Sequence, residues 1–204
     1  MDLAIDHLVL CAASLDDAAA AVGDRLGALS VPGGLHTGLG TENRIVPLGP
    51  NYLEILAIAD AVEASTNPFG RWAGERTEGE LAVDAVCLRT SNLDSVCSRL
   101  GLDPTPMSRI RPDGVELSWR VAGIEEALNN GLPFFIEWGV PEELMPGATY
   151  IPGPSGETRL QSVTIAGEKR QLVEWVGETD RLDLREGSPS CSATFSTPRG
   201  EVSI

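Results

Sequence analysis

The sequence predicts an α+β fold made of two tandem βαβββ modules, and it allows a partial third module after them. An apolar strand followed by an amphipathic helix, "LAIDHLVLCAASLDDAAAAVGDRLG", returns later as "LAVDAVCLRTSNLDSVCSRLG". Both helices end in Arg-Leu-Gly, at Gly27 and Gly101, and this spacing accommodates one strand-helix-three-strand unit. Short apolar runs between turn-forming glycines and prolines supply three strands after each helix.

The first predicted module covers residues 1–60 and begins with a strand over "LAIDHLVLCA". Ser14 and Asp17 then have capping-box spacing, in which side chains accept hydrogen bonds from orphan amides at a helix start. Apolar residues recur with helical period as far as Gly27, a residue suited to ending a helix. Three further strands are predicted, over "LSVPGG", "NRIVPLG" and "NYLEILAIA".

The second predicted module covers residues 80–140 and repeats this order. Residues 61–79, which precede it, are polar and interrupted by proline and glycine, so a short helix or loop is expected there. Within the module, Ser91 and Asp94 have capping-box spacing before a second apolar helix. The three strands that follow are predicted over "TPMSRIR", "GVELSWRV" and "LPFFIEWGV".

The rest of the chain predicts a loop and then the partial third module. Several prolines discourage regular structure in residues 141–157, which are predicted to form the loop. Residues 158–204 begin with "TRLQSVTIAGEKRQLVEWVG", again a strand followed by a helix, and "CSATFST" and "GEVSI" could add strands.

Composition narrows the classes of partner. The 15 Lys and Arg residues against 30 Asp and Glu residues give a net charge of -15, which disfavours nucleic acid and anionic membranes as partners. The first residues lack a basic region and a long apolar run, so neither a signal peptide nor a membrane span is expected, and a cytoplasmic location is predicted. The four cysteines form no C-x-x-C pair and are expected to be reduced. The sequence contains no G-x-S-x-G motif, so a serine hydrolase is not expected.

One of the two histidines of the chain lies inside the first predicted strand. His7 alternates there with Ile5, Val9 and Cys11 on one face, while Asp6 is expected on the other face. A histidine on an apolar face is either a core residue with satisfied hydrogen bonds or a ligand. Imidazole is the commonest protein ligand of borderline divalent metals, so His7 is a candidate ligand.

Two glutamates lie inside apolar strands. A buried carboxylate is costly unless it is paired, protonated or bound to a metal, so Glu54 in "YLEILAI" and Glu137 in "FFIEWGV" are candidate site residues. Structural alternatives remain open for both. Arg44 could pair with Glu54, and either Arg109 or Arg120 could pair with Glu137.

Further candidates come from a glycine-rich segment and its surroundings. Glycines in "GGLHTGLGTEN" allow the backbone to approach a ligand closely, so His36, Thr41 and Asn43 are candidate substrate-facing residues, with a surface loop as the alternative. Arg44 could hold a substrate carboxylate, or it could form a surface ion pair. Trp72 could line a pocket, although packing in the core is an equally ordinary role for a tryptophan.

These features together resemble the vicinal oxygen chelate superfamily, which includes glyoxalase I, extradiol dioxygenases and bleomycin-resistance proteins. The resemblance rests on "IDHLVL" at residues 5–10, on "YLEI" at residues 52–55 and on the glycine-rich loop at residues 34–43. It implies a glyoxalase-like fold, in which paired modules curl into a U-shaped mixed or antiparallel sheet. The first and fourth strands of both modules then present side chains to a divalent metal.

The resemblance also implies a site and an activity. His7, Glu54 and Glu137 match three ligand positions, while Ala85 occupies the fourth, and such a set suits Mn, Fe, Ni or Zn. Glu54, Glu137 and His36 would be the catalytic groups of a lyase or isomerase that stabilises an enediolate or similar oxyanion of a small oxygenated molecule. A dioxygenase would require a second histidine, which His36 could supply.

A second class of function follows from the same resemblance. Ala85 removes one coordination position, which favours a metal-free protein that binds small drug-like molecules, as bleomycin-resistance proteins do. The buried glutamates favour the enzyme, since an apolar trap has little use for them. By analogy with half-barrels completed across a two-fold axis, a homodimer is expected.

Overall fold

The computed structural model describes residues 2–77, 81–111, 113–148, 151–153, 156–177, 179 and 181–204. They form strands, helices and two 3-10 turns, Glu142–Leu144 and Pro146–Ala148, which follow the eighth strand. The elements are β1 Ala4–Cys11, α1 Leu15–Leu26, β2 Val31–His36, β3 Thr41–Pro47, β4 Tyr52–Ile58, α2 Ala61–Ser65, α3 Pro68–Gly74, β5 Ala85–Arg89, α4 Leu93–Leu100, β6 Thr105–Ile110, β7 Glu116–Ala122, α5 Ile124–Asn130, β8 Phe134–Trp138, β9 Arg159–Gly167, α6 Lys169–Val176, β10 Asp183–Glu186, β11 Ser190–Thr197 and β12 Gly200–Ser203.

Eight strands form one mixed sheet in the order β2-β3-β4-β1-β5-β8-β7-β6. Strand β1 pairs parallel with β4 and antiparallel with β5, so the two modules join along their first strands. The sheet curls until its edges approach, where Arg109 Nη1 on β6 donates a 2.6 Å hydrogen bond to the Gly33 carbonyl on β2. A Cβ on Gly34 would lie 3.2 Å from the Ile110 carbonyl, so glycine permits this approach. The predicted curled sheet of tandem modules is confirmed.

Helices α1 and α4 contribute their apolar sides to a core cluster on the outer face of this sheet. The Ser14 side chain caps α1 by accepting a hydrogen bond from the Asp17 amide, and Gly27 ends the helix at a φ of 68°, as the sequence predicts. Helix α4 ends at Gly101 as predicted, but its N-cap is Asn92, which accepts from the Ser95 amide. Asparagine caps as well as serine does, so the spacing alone could not distinguish them.

Two connections carry helices that bear on the site. The predicted linker folds into α2 and α3, while residues 78–79 lie outside the described residues. The second module also contains a helix that the sequence analysis did not predict, α5, between β7 and β8. It is bounded by Gly123 and Gly131, both with positive φ, and it packs against α3.

The C-terminal unit contains the predicted strand, helix and two final strands, with an additional strand, β10, after the helix, and its strand order differs from that of the first module. Its sheet runs β10-β9-β11-β12, with β9 paired parallel to β10 and antiparallel to β11. Val163, Ile165 and Phe195 from this sheet join the core cluster of α1 and α4. The Trp175 indole also donates a 2.7 Å hydrogen bond to the Pro133 carbonyl, which ties α6 to the end of the second module.

Burial of the cysteines predicts unreactive thiols. All four are free, and desolvation raises the pKa of each thiol, to about 11 for Cys191 and well above its usual value for Cys87. Because the thiolate is the reactive form, a pKa of about 11 lowers the reactive fraction of Cys191 roughly 100-fold at pH 8. We expect an aromatic disulfide reagent to modify the native protein slowly and to titrate four thiols after denaturation. Fast modification of native Cys87 would contradict its burial.

Among the helices of the described residues, none has the length and apolarity needed to cross a membrane.

Candidate active site

The inner side of the curled sheet encloses a cavity of about 700 Å³. Its two sides differ in chemistry because each comes from a different module. The polar wall comes from the first module and consists of His7, His36, Asn43, Tyr52 and Glu54. The apolar wall comes from the second module and consists of Met107, Trp119, Val121, Phe134, Ile136 and Trp138.

Strand register brings the polar wall together. Alternate residues of a strand face the same side of a sheet, and pairing aligns these rows across neighbouring strands. His7 on β1 lies beside Tyr52 on β4, and their rings stack with centroids 4.6 Å apart. Glu54 occupies the next inward row, beside Val9, and Asn43 on β3 pairs with Leu56 one row further along.

The Glu54 carboxylate lies between two imidazoles. Its Oε2 is 3.5 Å from His7 Nε2, and its Oε1 is 3.6 Å from His36 Nε2. Asn43 Nδ2 donates a 2.5 Å hydrogen bond to Oε1 and lies 3.2 Å from His36 Nε2. All four side chains are buried, so two nitrogens and a carboxylate converge where bulk water screens them little.

Each imidazole is oriented through its other nitrogen. His7 Nδ1 lies 2.7 Å from Asp6 Oδ1, and His36 Nδ1 lies 2.9 Å from Thr41 Oγ1. The Asn43 amide nitrogen can only donate, so neutral His36 accepts at Nε2 and donates from Nδ1 to Thr41. An ionised Asp6 carboxylate accepts from His7 Nδ1, which leaves the lone pair of Nε2 directed to Glu54.

Burial favours the neutral form of His36. Desolvation lowers the pKa of its imidazole, and the charges of Arg109 and His7 lower it further, while the Glu54 carboxylate acts in the opposite direction. A neutral imidazole retains a lone pair, which it needs in order to accept a hydrogen bond or to bind a metal.

Asp6 is a site residue that the sequence analysis placed on the wrong face. The β1–β5 register shifts between Ile5 and His7, a β-bulge that redirects Asp6 toward its neighbour His7. Trp138 Nε1 donates a 3.0 Å hydrogen bond to the other Asp6 oxygen, and Arg89 lies 3.6 Å from it. The adjacent Asp-His pair was the available signal, but strict strand alternation concealed it.

The prediction that Glu137 shares this cavity is wrong. Strand β5 aligns Cys87 with Phe134, so the inward residues of β8 are Phe134, Ile136 and Trp138. Glu137 faces the opposite side, where it forms an ion pair with Arg120 and accepts a 3.2 Å hydrogen bond from the Leu93 amide at the start of α4. The alternative pairing with Arg120 is therefore the one observed.

Three predicted substrate-binding residues, Thr41, Arg44 and Trp72, also lie outside the cavity, and Thr41 is fully buried with its hydroxyl 2.9 Å from His36 Nδ1. Arg44 is on the outer face of β3, where Nε donates to Ser30 Oγ at 3.0 Å and Nη1 lies 3.1 Å from Asp16. It pairs with Asp16 and not with Glu54, because Ile45 is the β3 residue aligned with Glu54. Trp72 packs in the core beside Phe69, and Phe69 is the ring that lines the cavity.

Two sets of side chains could hold a divalent metal. The ligand atoms of Asp6, His7 and Cys87 lie within 4.8 Å of one another, but the Asp6 carboxylate is engaged by neighbours and burial raises the pKa of the Cys87 thiol. His7, His36 and Glu54 offer two nitrogens and a carboxylate, a donor set that suits Fe, Mn, Ni or Zn. Histidine ligands usually donate their other N–H to a carboxylate or similar acceptor, as the Asp6 contact allows. Among the described residues, Asp6, His7 and Cys87 are the more closely grouped ligands, whereas His7, His36 and Glu54 have the donor types better suited to these metals.

The chain matches known proteins in sequence and in structure. A profile of the glyoxalase-like domain matches residues 5–179, whereas no curated protein matches the sequence significantly. A hypothetical protein from Staphylococcus aureus has a TM-score of 0.65 at 19% identity, covering 92% of this chain and 88% of that chain. A methylmalonyl-CoA epimerase from Mycobacterium tuberculosis has a TM-score of 0.48 at 20% identity, covering 68% of this chain and 89% of its own.

A second epimerase structure contains a bound ligand. A Streptomyces coelicolor methylmalonyl-CoA epimerase in complex with 2-nitronate-propionyl-CoA has a TM-score of 0.49 at 14% identity, covering 67% of this chain and 98% of its own. At such identities the solved structures bear on the fold alone, while the profile match extends over most of the chain. The chain belongs to the glyoxalase-like domain family, as its sequence resemblance predicts.

Proposed function

We propose that the protein is a metal-assisted isomerase or lyase that acts on a small oxygenated molecule in this cavity. The observation that supports it is the buried Glu54 carboxylate, 3.5 Å from His7 Nε2 and 3.6 Å from His36 Nε2. In this proposal His7, His36 and Glu54 are the metal ligands, and Asn43 Nδ2 gives up its contact with His36 Nε2 so that the lone pair of this nitrogen is free for the ion. They replace the set of one histidine and two carboxylates expected from the sequence, because Glu137 faces away.

In this proposal the residues of the polar wall have separate roles in proton transfer. A divalent ion bound there would supply a Lewis acid that polarises a substrate carbonyl. Glu54 would have two roles, as a ligand of the ion through one oxygen and as the base that takes a proton from a substrate carbon and returns it through the other, while Asn43 orients the carboxylate. Burial raises the pKa of Tyr52 well above its usual value, so its phenol stays protonated and can donate a hydrogen bond to a developing oxyanion. The apolar wall limits competition from water.

A metal-free binding protein is the second candidate. The apolar wall favours it, because Phe134 and Ile136 occupy the inward β8 positions and belong to one apolar cluster with Ala85 of β5, and none of these three can bind a metal. A small molecule is the proposed partner in both cases. One chain supplies both walls of the cavity, so neither candidate requires a second copy, and the homodimer stays a prediction.

Metal binding by matched variants tests the proposal. Protein purified without chelators should contain a divalent metal, or should bind added Mn, Fe, Ni or Zn at one ion per chain. The His7→Ala and His36→Ala variants should each lose at least about 100-fold in affinity, more than the ~10–100-fold that loss of an outer hydrogen-bond partner costs. Calorimetric titration of chelator-treated protein measures each value.

Cys87→Ala is the matched control for these variants. It removes one member of the Asp6, His7 and Cys87 group and leaves the polar wall intact, so it should bind metal like the wild type. Loss of metal in Cys87→Ala with retention in His36→Ala would place the ion in the other group. Wild-type protein that binds none of the four metals would favour the metal-free candidate.

A further inference from the structure

Arg109 is a buried cation that none of the proposed roles uses. It extends from β6 into the cavity and is the one Lys or Arg among the described residues that line it. Within the part of the chain that the structure describes, its one hydrogen bond runs from Nη1 to the Gly33 carbonyl. Among the described residues no carboxylate lies within 4.0 Å of its guanidinium, so the Arg109 charge has no direct ion-pair partner.

Closing the sheet does not by itself require this charge. A guanidinium has five N–H donors, and the contact with Gly33 uses one of them. A neutral amide side chain could make the same bond to a carbonyl without the cost of burying a charge. Desolvation lowers the pKa of Arg109, while the negative charge of the Glu54 carboxylate opposes this effect. The remaining donors are therefore available to an anion that enters the cavity.

The free donors have the geometry of a carboxylate fork. With Nη1 bonded to Gly33, Nε and Nη2 remain, and these two nitrogens can bind both oxygens of one carboxylate side by side. A dianion such as phosphate is disfavoured, since Asp103, Glu125 and Glu126 line the same cavity and one guanidinium neutralises one charge. A ligand with a single carboxylate fits these charges best.

The proposed carboxylate position adjoins the polar wall. Gly33 accepts the hydrogen bond from Arg109, and its missing Cβ leaves the space that the Asn43 side chain fills, since that Cβ would lie 1.9 Å from Asn43 Oδ1. Asn43 in turn binds Glu54. A molecule anchored on Arg109 would therefore present the carbon next to its carboxylate toward Glu54 and His36.

We propose that Arg109 binds the carboxylate of the ligand, and that the ligand is a small carboxylic acid with an oxygen on the adjacent carbon, such as an α-oxo or α-hydroxy acid. The inference that the ligand has a carboxylate depends only on Arg109, whereas the inference about the oxygen on the adjacent carbon rests on the proposed function.

Paired acids and amides test the inference. Chelator-treated protein is titrated calorimetrically with pyruvate and α-ketoisovalerate, each against its neutral amide, and then with inorganic phosphate. The wild type should bind at least one acid at least about tenfold more tightly than its amide, as expected for a charge-assisted fork. Arg109→Gln, which can still donate to Gly33, should lose this preference, whereas Arg109→Lys should keep part of it. Arg44→Gln is the control and should match the wild type, because Arg44 lies on the outer face.

Several results would overturn the inference: equal affinity of the wild type for acids and amides, binding of neither acid, phosphate binding as tightly as the acids, or a preserved preference in Arg109→Gln. Melting curves establish that each variant is folded, and the wild-type comparison decides the matter even if one variant does not fold. Preference for acids without any metal binding would end the proposed metal-assisted function and leave the carboxylate site standing. Metal binding without preference for acids would end the proposed carboxylate site and leave the proposed metal-assisted function standing.

Discussion

Glu54→Gln should abolish metal retention, whereas Glu137→Gln should leave it intact and lower the free energy of unfolding instead. Glutamine has the size of glutamate and can still accept from Asn43 Nδ2 through its carbonyl, so the fold around position 54 should persist. The change removes the charge and the carboxylate donor between His7 and His36. We expect metal affinity to fall by at least about 100-fold, measured by titration of chelator-treated protein.

The Glu137 variant probes the outer face with the same chemical change. It removes the charge that pairs with Arg120 and that faces the N-terminal turn of α4 through the Leu93 amide. The side chain is 21% exposed, so solvent screens part of this interaction and the expected loss is about 0.5–1.5 kcal/mol. Denaturant unfolding measures that loss. A Glu137→Gln protein that loses its metal while Glu54→Gln retains it would reverse the assignment.

Gly33→Ala should displace residues that support the polar wall. An added Cβ would lie 1.9 Å from Asn43 Oδ1 and 2.9 Å from the Asn43 carbonyl oxygen, so the Asn43 side chain or the β2 backbone must move. Movement of Asn43 breaks its hydrogen bond to Glu54, and movement of Gly33 breaks the Arg109 contact. Overpacking of this kind costs about 1–3 kcal/mol, and we expect weaker metal and acid binding in the titrations described above.

Gly74→Ala is the control for this substitution. An added Cβ there meets only Ile58, at 3.9 Å, an ordinary van der Waals contact at the end of α3. Because alanine is the better helix former, stability should be unchanged or should rise by up to about 1 kcal/mol, with binding unaffected. A Gly33→Ala protein that unfolds and binds like Gly74→Ala would mean that Asn43 does not depend on the space beside Gly33.

The first module could be predicted because its information is local in the sheet. Strands β1 to β4 are neighbours, so inward residues that alternate in sequence meet in space, as His7, Asn43 and Glu54 do. The prediction that Glu137 faces the cavity was wrong because it depended on strand register. A shift of one residue moves a strand side chain to the opposite face. The sequence of the second module does not identify the pairing partner that fixes the register of the strand with Glu137.

The positions of Asp6 and Arg109 depend on contacts that form only when the strands pair and the sheet closes. A bulge against β5 turns Asp6 inward, and nothing in the sequence of β1 marks that pairing. Arg109 meets Gly33 because the eight-stranded sheet closes on itself, which brings together residues 76 positions apart. Arg109 does share a strand face with Met107 of the apolar wall, so alternation contained a weak signal for its direction.

The contrast between the two walls has an evolutionary consequence. Reactive groups are concentrated in one half of the repeat, while the other half contributes the surfaces that a bound molecule would touch, from Met107 to Trp138. Substitutions in that second half can change which compounds are accepted without disturbing the groups around Glu54. Under the proposed function, substitutions in one copy would change the range of ligands while the reacting groups of the other copy stay unchanged.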